Sequence, residues 1–406
     1  MESEGDVGTP NHRKIVLFAV DNIQNIGDEL LLNVTGWLVR EIAADCSVCN
    51  VQFLPNRRNL RAGGYFWSKR LSDAIRALAA PSGGNFRHRL DDVSYRIRYG
   101  RFFRDALQGA DAAIFAVGML KYTTQDHSYV FDLINRICTE NGTPVLMSAM
   151  SVSERNDQDW RSRQLRHAVN RPCVKMVTTR DGESGLERLR REWIRRGDIE
   201  TDSVGDPALW APECYGVRKD PSAKVFGINV IRGDIFQDYC GGVTENQLMA
   251  AYEGLIAELD RRGISWRLFS NGAPCDQQFG ERLLKAIGAP ATRLLPRPES
   301  AKTLLAYIAS FRAVFAGRLH ACITSFALDV PVAGMLWDDK LRFVAESFGI
   351  ARFFTESRDL SGEVLAQRLI AASETPQDAE RRDALKGRMR SALACFLESV
   401  PVREGA

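Results

Sequence analysis

Arg318 and His320 stand two positions apart in the stretch Phe315-Ala316-Gly317-Arg318-Leu319-His320-Ala321. The strand-like run Arg312 to Ala316 precedes Gly317, and the apolar run Ala321 to Leu328 reads as a helix that stops at Asp329-Val330-Pro331. A guanidinium and an imidazole therefore sit where a buried strand hands over to a helix. In an open α/β sheet that is the crevice where ligands bind. The helix start adds free N–H groups and the positive end of a dipole, so the place suits an anion. Arg318 can hold a carboxylate or phosphate through two parallel hydrogen bonds. His320 can carry a proton near neutral pH. A capping or core histidine is the alternative that these residues alone leave open.

Other candidates sit at similar junctions. The apolar run Lys14 to Val20 reads as a buried first strand, followed by the loop Ile23 to Glu29 and a helical pattern from Leu30 to Ile42 with Leu31, Val34, Leu38 and Ile42 on one face. Asp28 is expected to cap that helix, and Gly27 to permit close backbone approach. Val174 to Thr178 reads as a strand ending at Thr179-Arg180-Asp181. Arg180 is a second cation for an anionic ligand or, equally, a structural partner of Asp181 or Glu183.

The elements that must position these residues alternate between strand and helix. Strands are expected at Asp111 to Val117, Thr143 to Ala149, Val225 to Val230, Trp266 to Ser270, Ala313 to Ala316 and Val332 to Leu336. Helices are expected at Tyr129 to Glu140, Glu183 to Arg196, Glu245 to Arg262, Asp276 to Ala286, Ala301 to Phe311, Leu341 to Phe348 and Ala379 to Leu397. Such alternation argues for parallel sheets with helices on both faces. The Pro-containing stretch Val204 to Lys224 marks the boundary. The fold class expected is α/β, two Rossmann-like domains facing across a cleft in a GT-B-like layout. The first covers residues 1–205, a linker 206–222, and the second, with a C-terminal helix, 223–406.

The totals agree with that division. A chain of 406 residues exceeds one ordinary core. Its 54 basic and 51 acidic residues give +3, too little for a general nucleic-acid binder. The first thirteen residues hold no apolar core of a secretory signal, and no run of eighteen apolar residues occurs. The compartment expected is the cytoplasm, where the nine cysteines stay reduced. The lone pair Cys46 and Cys49 reads as buried thiols rather than a metal or redox site. Residues 57–104 carry twelve basic side chains against three aspartates, interleaved with aromatics. They read as a variable solvated insertion, or as a surface for anionic lipid headgroups at the inner face of a membrane.

Four segments together resemble the polysaccharide pyruvyl transferase family: Asn25-Ile26-Gly27-Asp28-Glu29-Leu30-Leu31, Thr179-Arg180-Asp181 with Ser184, Asp206-Pro207-Ala208-Leu209, and Gly317-Arg318-Leu319-His320-Ala321 with Val330-Pro331-Val332, Asp338 and Lys340 behind it. They span residues 14–350. The chain departs from the family at Ala116-Val117-Gly118, where a Gly-Gly-Gly is usual, and at Asp21 and Asn25 in the first loop. The resemblance implies transfer of an enolpyruvyl unit from phosphoenolpyruvate to a saccharide, lipid-linked if the basic stretch is a membrane surface, with a cyclic ketal formed and phosphate released. It implies phosphoenolpyruvate as donor substrate, no cofactor and no metal. His320 is then the general acid and Asp28 the group that orients or deprotonates the hydroxyl. Arg318, Arg180, Leu319 and Lys340 hold the donor, although a solvated surface position is the expectation for Lys340. Asn25, Gly27, Glu29 and Gly118 lie on the acceptor side. A nucleotide-sugar glycosyltransferase of GT-B type and a catalytically silent binding protein of polysaccharide assembly are the rival expectations.

Overall fold

The computed structural model describes residues 12–20, 26–53, 84–122, 127–239 and 242–401. The first lobe is built on β1 (Arg13–Ala19), β2 (Cys46–Gln52), β3 (Ala112–Phe115), β4 (Met119–Leu120), β5 (Val145–Val152), β6 (Val174–Thr179) and β7 (Glu200–Ser203), ordered β2-β1-β3-β5-β6-β7 with β4 beside β5. The second lobe holds β8 (Phe226–Asn229), β9 (Trp266–Phe269), β10 (Ala313–Ala316), β11 (Val332–Leu336) and β12 (Phe354–Glu356), ordered β12-β11-β10-β8-β9. The strand pairs are parallel. The central strands are buried along their length, as in β3, β5 and β10, because helices cover both faces.

The first lobe's crossovers are α1 (Ile26–Ile42), α2 (Gly84–Leu107), α3 (Ser128–Asn141), α4 (Trp160–Val169) and α5 (Gly182–Arg188). Those of the second are α6 (Glu245–Arg261), α7 (Pro274–Ala286), α8 (Ala301–Ala309), α9 (Leu319–Ala327) and α10 (Asp339–Ser347), and α11 (Gly362–Ser373) follows the last strand. Strand order reverses between β1 and β3 in one sheet and between β8 and β10 in the other. Each reversal opens a crevice at the carboxyl ends of the strands, where a ligand site belongs.

Three expectations about organisation change. Within 57–104, residues 57–83 lie outside the described residues, while the remainder forms α2. Phe103 of α2 is fully buried and meets Phe18 of β1 edge-on at 5.9 Å, so this part is a crossover helix and not an insertion. The segment 206–222 is no loose linker. Its 3₁₀ turn Pro207–Trp210 is capped by Asp206, which accepts from Ala208 N at 2.8 Å, and Ala208 and Leu209 are buried. The last helix, α12 (Ala379–Ser399), bridges both lobes. Arg382 pairs with Asp329 of the second lobe at 3.0 Å. On the first lobe, Gly205 N donates to Leu385 O at 3.3 Å and Arg13 Nη1 to Leu397 O at 2.6 Å.

The apolar interior follows the same plan. One cluster fills the outer face of the first sheet with Phe18, Phe103, Phe115 and Phe131. The other starts on the inner face with Leu17 and Ile114, passes through Leu30, Val34 and Leu209, and continues into the second lobe. Among the described residues no helix is long and apolar enough to cross a membrane.

Candidate active site

His320 lies in the first turn of α9, after β10 and the tight passage at Gly317. Gly317 is required there, since a Cβ would stand 2.7 Å from Asn229 O. Asn229, at the end of β8, accepts from Arg318 N at 2.9 Å through its Oδ1 and donates to Phe269 O at 3.2 Å. Trp337 Nε1 donates to Gly317 O at 2.8 Å from the far side. The junction is thus held from both neighbouring strands.

The imidazole reaches across to the other lobe. A Cβ on Gly27, in the first turn of α1, would fall 2.1 Å from His320 Nδ1. Gly27 was expected to contact the acceptor; instead its missing side chain makes room for the ring. His320 is 9% exposed, and its Nε2 has no hydrogen-bond partner among the described residues. Burial lowers its pKa to about 4, the positive charges of Arg180 and Lys340 push the same way, and Asp206 opposes them.

His320, Leu319 and Arg318 share a cavity of 130 Å³ with Asp28, Arg180 and Lys340. The structure thus gathers six candidates from four separate segments. Their roles differ from expectation. Asp28 lies within α1, which is already helical at Ile26, so it is not the cap. Arg318 gives Nε and Nη2 to the fully buried Asp276 at 2.8 and 2.6 Å, so the fork expected for a ligand is closed on a protein carboxylate. Nη1 takes no part in that pair.

Arg180 is likewise engaged within the protein. It pairs with buried Asp206, and neither Asp181 nor Glu183 is its partner. It also donates through Nε to Ser151 Oγ at 3.1 Å and through Nη2 to Gly118 O at 3.0 Å. Its guanidinium edges the cavity as a fixed charge. A bulge in β5, with Ala149 at φ 50°, precedes Ser151, whose hydroxyl donates to Asp181 Oδ1 at 3.0 Å.

Lys340 is half-buried rather than fully solvated, its side chain 21% exposed. Its Nζ lies 3.8 Å from Met119 Sδ and 3.9 Å from Asp338 Oδ2. Burial pulls its pKa below the ordinary value; Asp338 opposes this, while Lys121 and Arg180 add to it.

The acceptor-side candidates disperse. Glu29 Oε1 accepts from Ala301 N at 3.1 Å, which fastens α1 to the start of α8 in the other lobe. Gly118 adopts φ 74°, and a Cβ there would stand 2.9 Å from Leu31, so it serves the packing around Arg180. Asn25 lies outside the described residues. Asp276 and Asn229 escaped as site residues, and Asp206 was read only as part of a motif, with no role given. Each is an acidic or amide residue at an element end, with no local pattern that names its distant partner.

Two parallel-sheet lobes with a site between the ends of β1 and β10 define a protein of the GT-B type. Solved structures agree on the fold. UDP-GlcNAc 2-epimerase from Methanocaldococcus jannaschii matches with a TM-score of 0.57 at 11% identity, over 95% of this chain and 99% of that one. UDP-GlcNAc 2-epimerase from Neisseria meningitidis, bound to UDP-GlcNAc, gives 0.54 at 10%, over 95% and 100%. The α,α-trehalose 6-phosphate synthase from Burkholderia multivorans gives 0.53 at 12%, over 96% of each chain. A search of curated proteins finds no match. The family model for polysaccharide pyruvyl transferase matches residues 25–339, and the chain belongs to that family.

Proposed function

We propose that the protein transfers an enolpyruvyl unit from phosphoenolpyruvate to a saccharide and closes it into a pyruvate ketal. The observation that supports this most is the unpartnered Nε2 of buried His320 at a small cavity edged by Arg318, Arg180 and Lys340. Phosphoenolpyruvate carries a carboxylate and a phosphate close together, and fixed cations in a partly dry site bind such a group strongly. Burial, with Arg180 and Lys340 adding to it against Asp206, keeps the ring neutral at pH 7 before a ligand binds. A bound anion counters those cations and raises the pKa of the imidazole. The donor would therefore bring the proton that its own methylene carbon needs.

Protonation of the methylene gives an oxocarbenium-like centre at the adjacent carbon, which a sugar hydroxyl attacks. Attack by a second hydroxyl breaks the bond to phosphate. One phosphoenolpyruvate and two hydroxyl groups thus yield one ketal and one phosphate. Lys340 lies where it can neutralise the departing phosphate.

Phosphate release from phosphoenolpyruvate, measured against a panel of saccharides, tests the proposal. Release that depends on one saccharide class is the expected result; none with any saccharide counts against it. The structural relatives keep a second reading in view, because two of them carry UDP-sugars in their names. A thermal-shift panel separates the two: phosphoenolpyruvate raises the melting temperature under the first reading, UDP- or GDP-sugars under the second. A protein stabilised by neither would be a binding component only, consistent with its single glycine at Ala116-Val117-Gly118.

A further inference from the structure

A second cavity of 360 Å³ adjoins the one at His320, and the two share Met119, Asp338 and Lys340 in their walls. Its size falls in the range of pockets that hold small ligands, about 300–1,000 Å³. None of the residues expected on the acceptor side lines it. We propose that this second cavity holds the saccharide acceptor, and that Asp338 removes the proton from the attacking hydroxyl. The proposal rests on the pyruvyl-transfer reading and supplies the half of the site which that reading leaves unassigned.

The lining argues for a polyhydroxylated ligand. Lys121, Arg188 and Lys340 line one space together with Glu154, Asp181, Asp338 and Asp339. A simple anion would meet four carboxyl groups there, and an apolar ligand would strip these seven ionisable groups of water. Sugar hydroxyls both donate and accept, so they can satisfy either sign. Tyr122 and Phe343 add two aromatic side chains to the lining, a residue type suited to the C–H face of a pyranose. Phe343 also lies under the Arg188 guanidinium at 5.7 Å, which fixes its orientation.

Asp338 is the carboxylate common to both cavities, whereas Asp28 lines only the smaller. Its two oxygens have different duties. Oδ1 accepts from Lys340 N at 3.1 Å and caps α10. Oδ2 stands 3.9 Å from Lys340 Nζ, at the partition between the cavities, and is the oxygen placed to take a proton. In the first attack the hydroxyl oxygen bonds to the donor's central carbon and its proton passes to Asp338 Oδ2. The second hydroxyl bonds as the carbon–oxygen bond to phosphate breaks. Asp338 then gives its proton to the departing phosphate, and the second hydroxyl's proton restores the imidazolium of His320.

The test uses the full chain and methyl glycosides of glucose, galactose, mannose and N-acetylglucosamine, followed by ligand-observed NMR. At least one glycoside should bind the wild type, lose binding in Ser153→Trp, which fills the cavity, and bind about tenfold more weakly in Phe343→Ala. Phosphoenolpyruvate affinity, measured by calorimetry, should be unchanged in both variants, which also reports that they are folded. Asp338→Asn keeps the helix cap, so it should leave both affinities intact while turnover falls by roughly 10²–10⁴-fold. No glycoside binding to the wild type, or binding that survives both cavity variants, overturns the proposal. So does an Asp338→Asn enzyme with normal turnover. If glycosides bind and respond to the variants while phosphoenolpyruvate neither binds nor reacts, the cavity assignment stands and the pyruvyl reading fails.

Discussion

His320 combines two properties that packing alone does not explain: near-complete burial and an Nε2 with no hydrogen-bond partner among the described residues. A buried polar atom with no bond costs about 1–3 kcal/mol, so its retention points to a ligand that completes it. His127 of the first lobe is also buried, with no hydrogen-bond partner for either ring nitrogen among the described residues, and burial, then Lys340 and Lys121, lower it to about 4 as well. Both groups have folded pKa values below the ordinary 6.5. Their neutral forms therefore stabilise the fold fully above pH 6.5, and that contribution is lost as pH falls from 6.5 towards 4. For a shift of this size each contributes roughly 3 kcal/mol. Replacing His320 by Asn should cut turnover by roughly 10²–10⁴-fold. It should also flatten the fall in urea midpoint between pH 6.5 and 4. A variant that loses as much stability at pH 7 as it loses rate would assign the ring to packing instead.

Among the strands, apolar ones were legible in the sequence, the edge strand β9 included, and the polar edges were not. β10 and β11 have the bounds their apolar runs predict, because every side chain there is buried or nearly so. β2, β7 and β12 were missed, since each sits beside one neighbour and carries polar residues such as Ser47, Asp202 and Glu356. The strand–helix junctions announced Arg318, His320 and Asp28 for the same local reason. What local pattern cannot tell is which distant carboxylate answers a given arginine. Arg180 and Asp206 lie 4% and 1% exposed, and their pair ties the end of β6 to the segment between the lobes. Asp206→Asn leaves a buried guanidinium without its counter-charge and should cost about 3–5 kcal/mol in urea unfolding. Glu356→Gln, which breaks the half-exposed pair with Arg342, should cost under about 1 kcal/mol. Equal effects from the two changes would refute the distinction.

At the scale of the molecule, the interdependence of the lobes was not legible in the sequence. A Pro-containing stretch between two alternating patterns marks two lobes, yet one apolar cluster runs through both. Glu29 anchors the start of α8, the imidazole of His320 rests on Gly27, and α12 returns to the first lobe. Calorimetry should therefore record one cooperative melting transition for the whole chain. Two resolved transitions would mean that the lobes are energetically separate.

The returning helix also sets a clock. Leu393, Phe396 and Leu397 of α12 bury their side chains, yet the strands of the first lobe are complete by Ser203. At about 5–20 residues per second, a ribosome needs on the order of 10–35 s to travel from there to Ala379. For that interval the nascent first lobe shows bare hydrocarbon where its seal will dock, an invitation to chaperones in every round of translation.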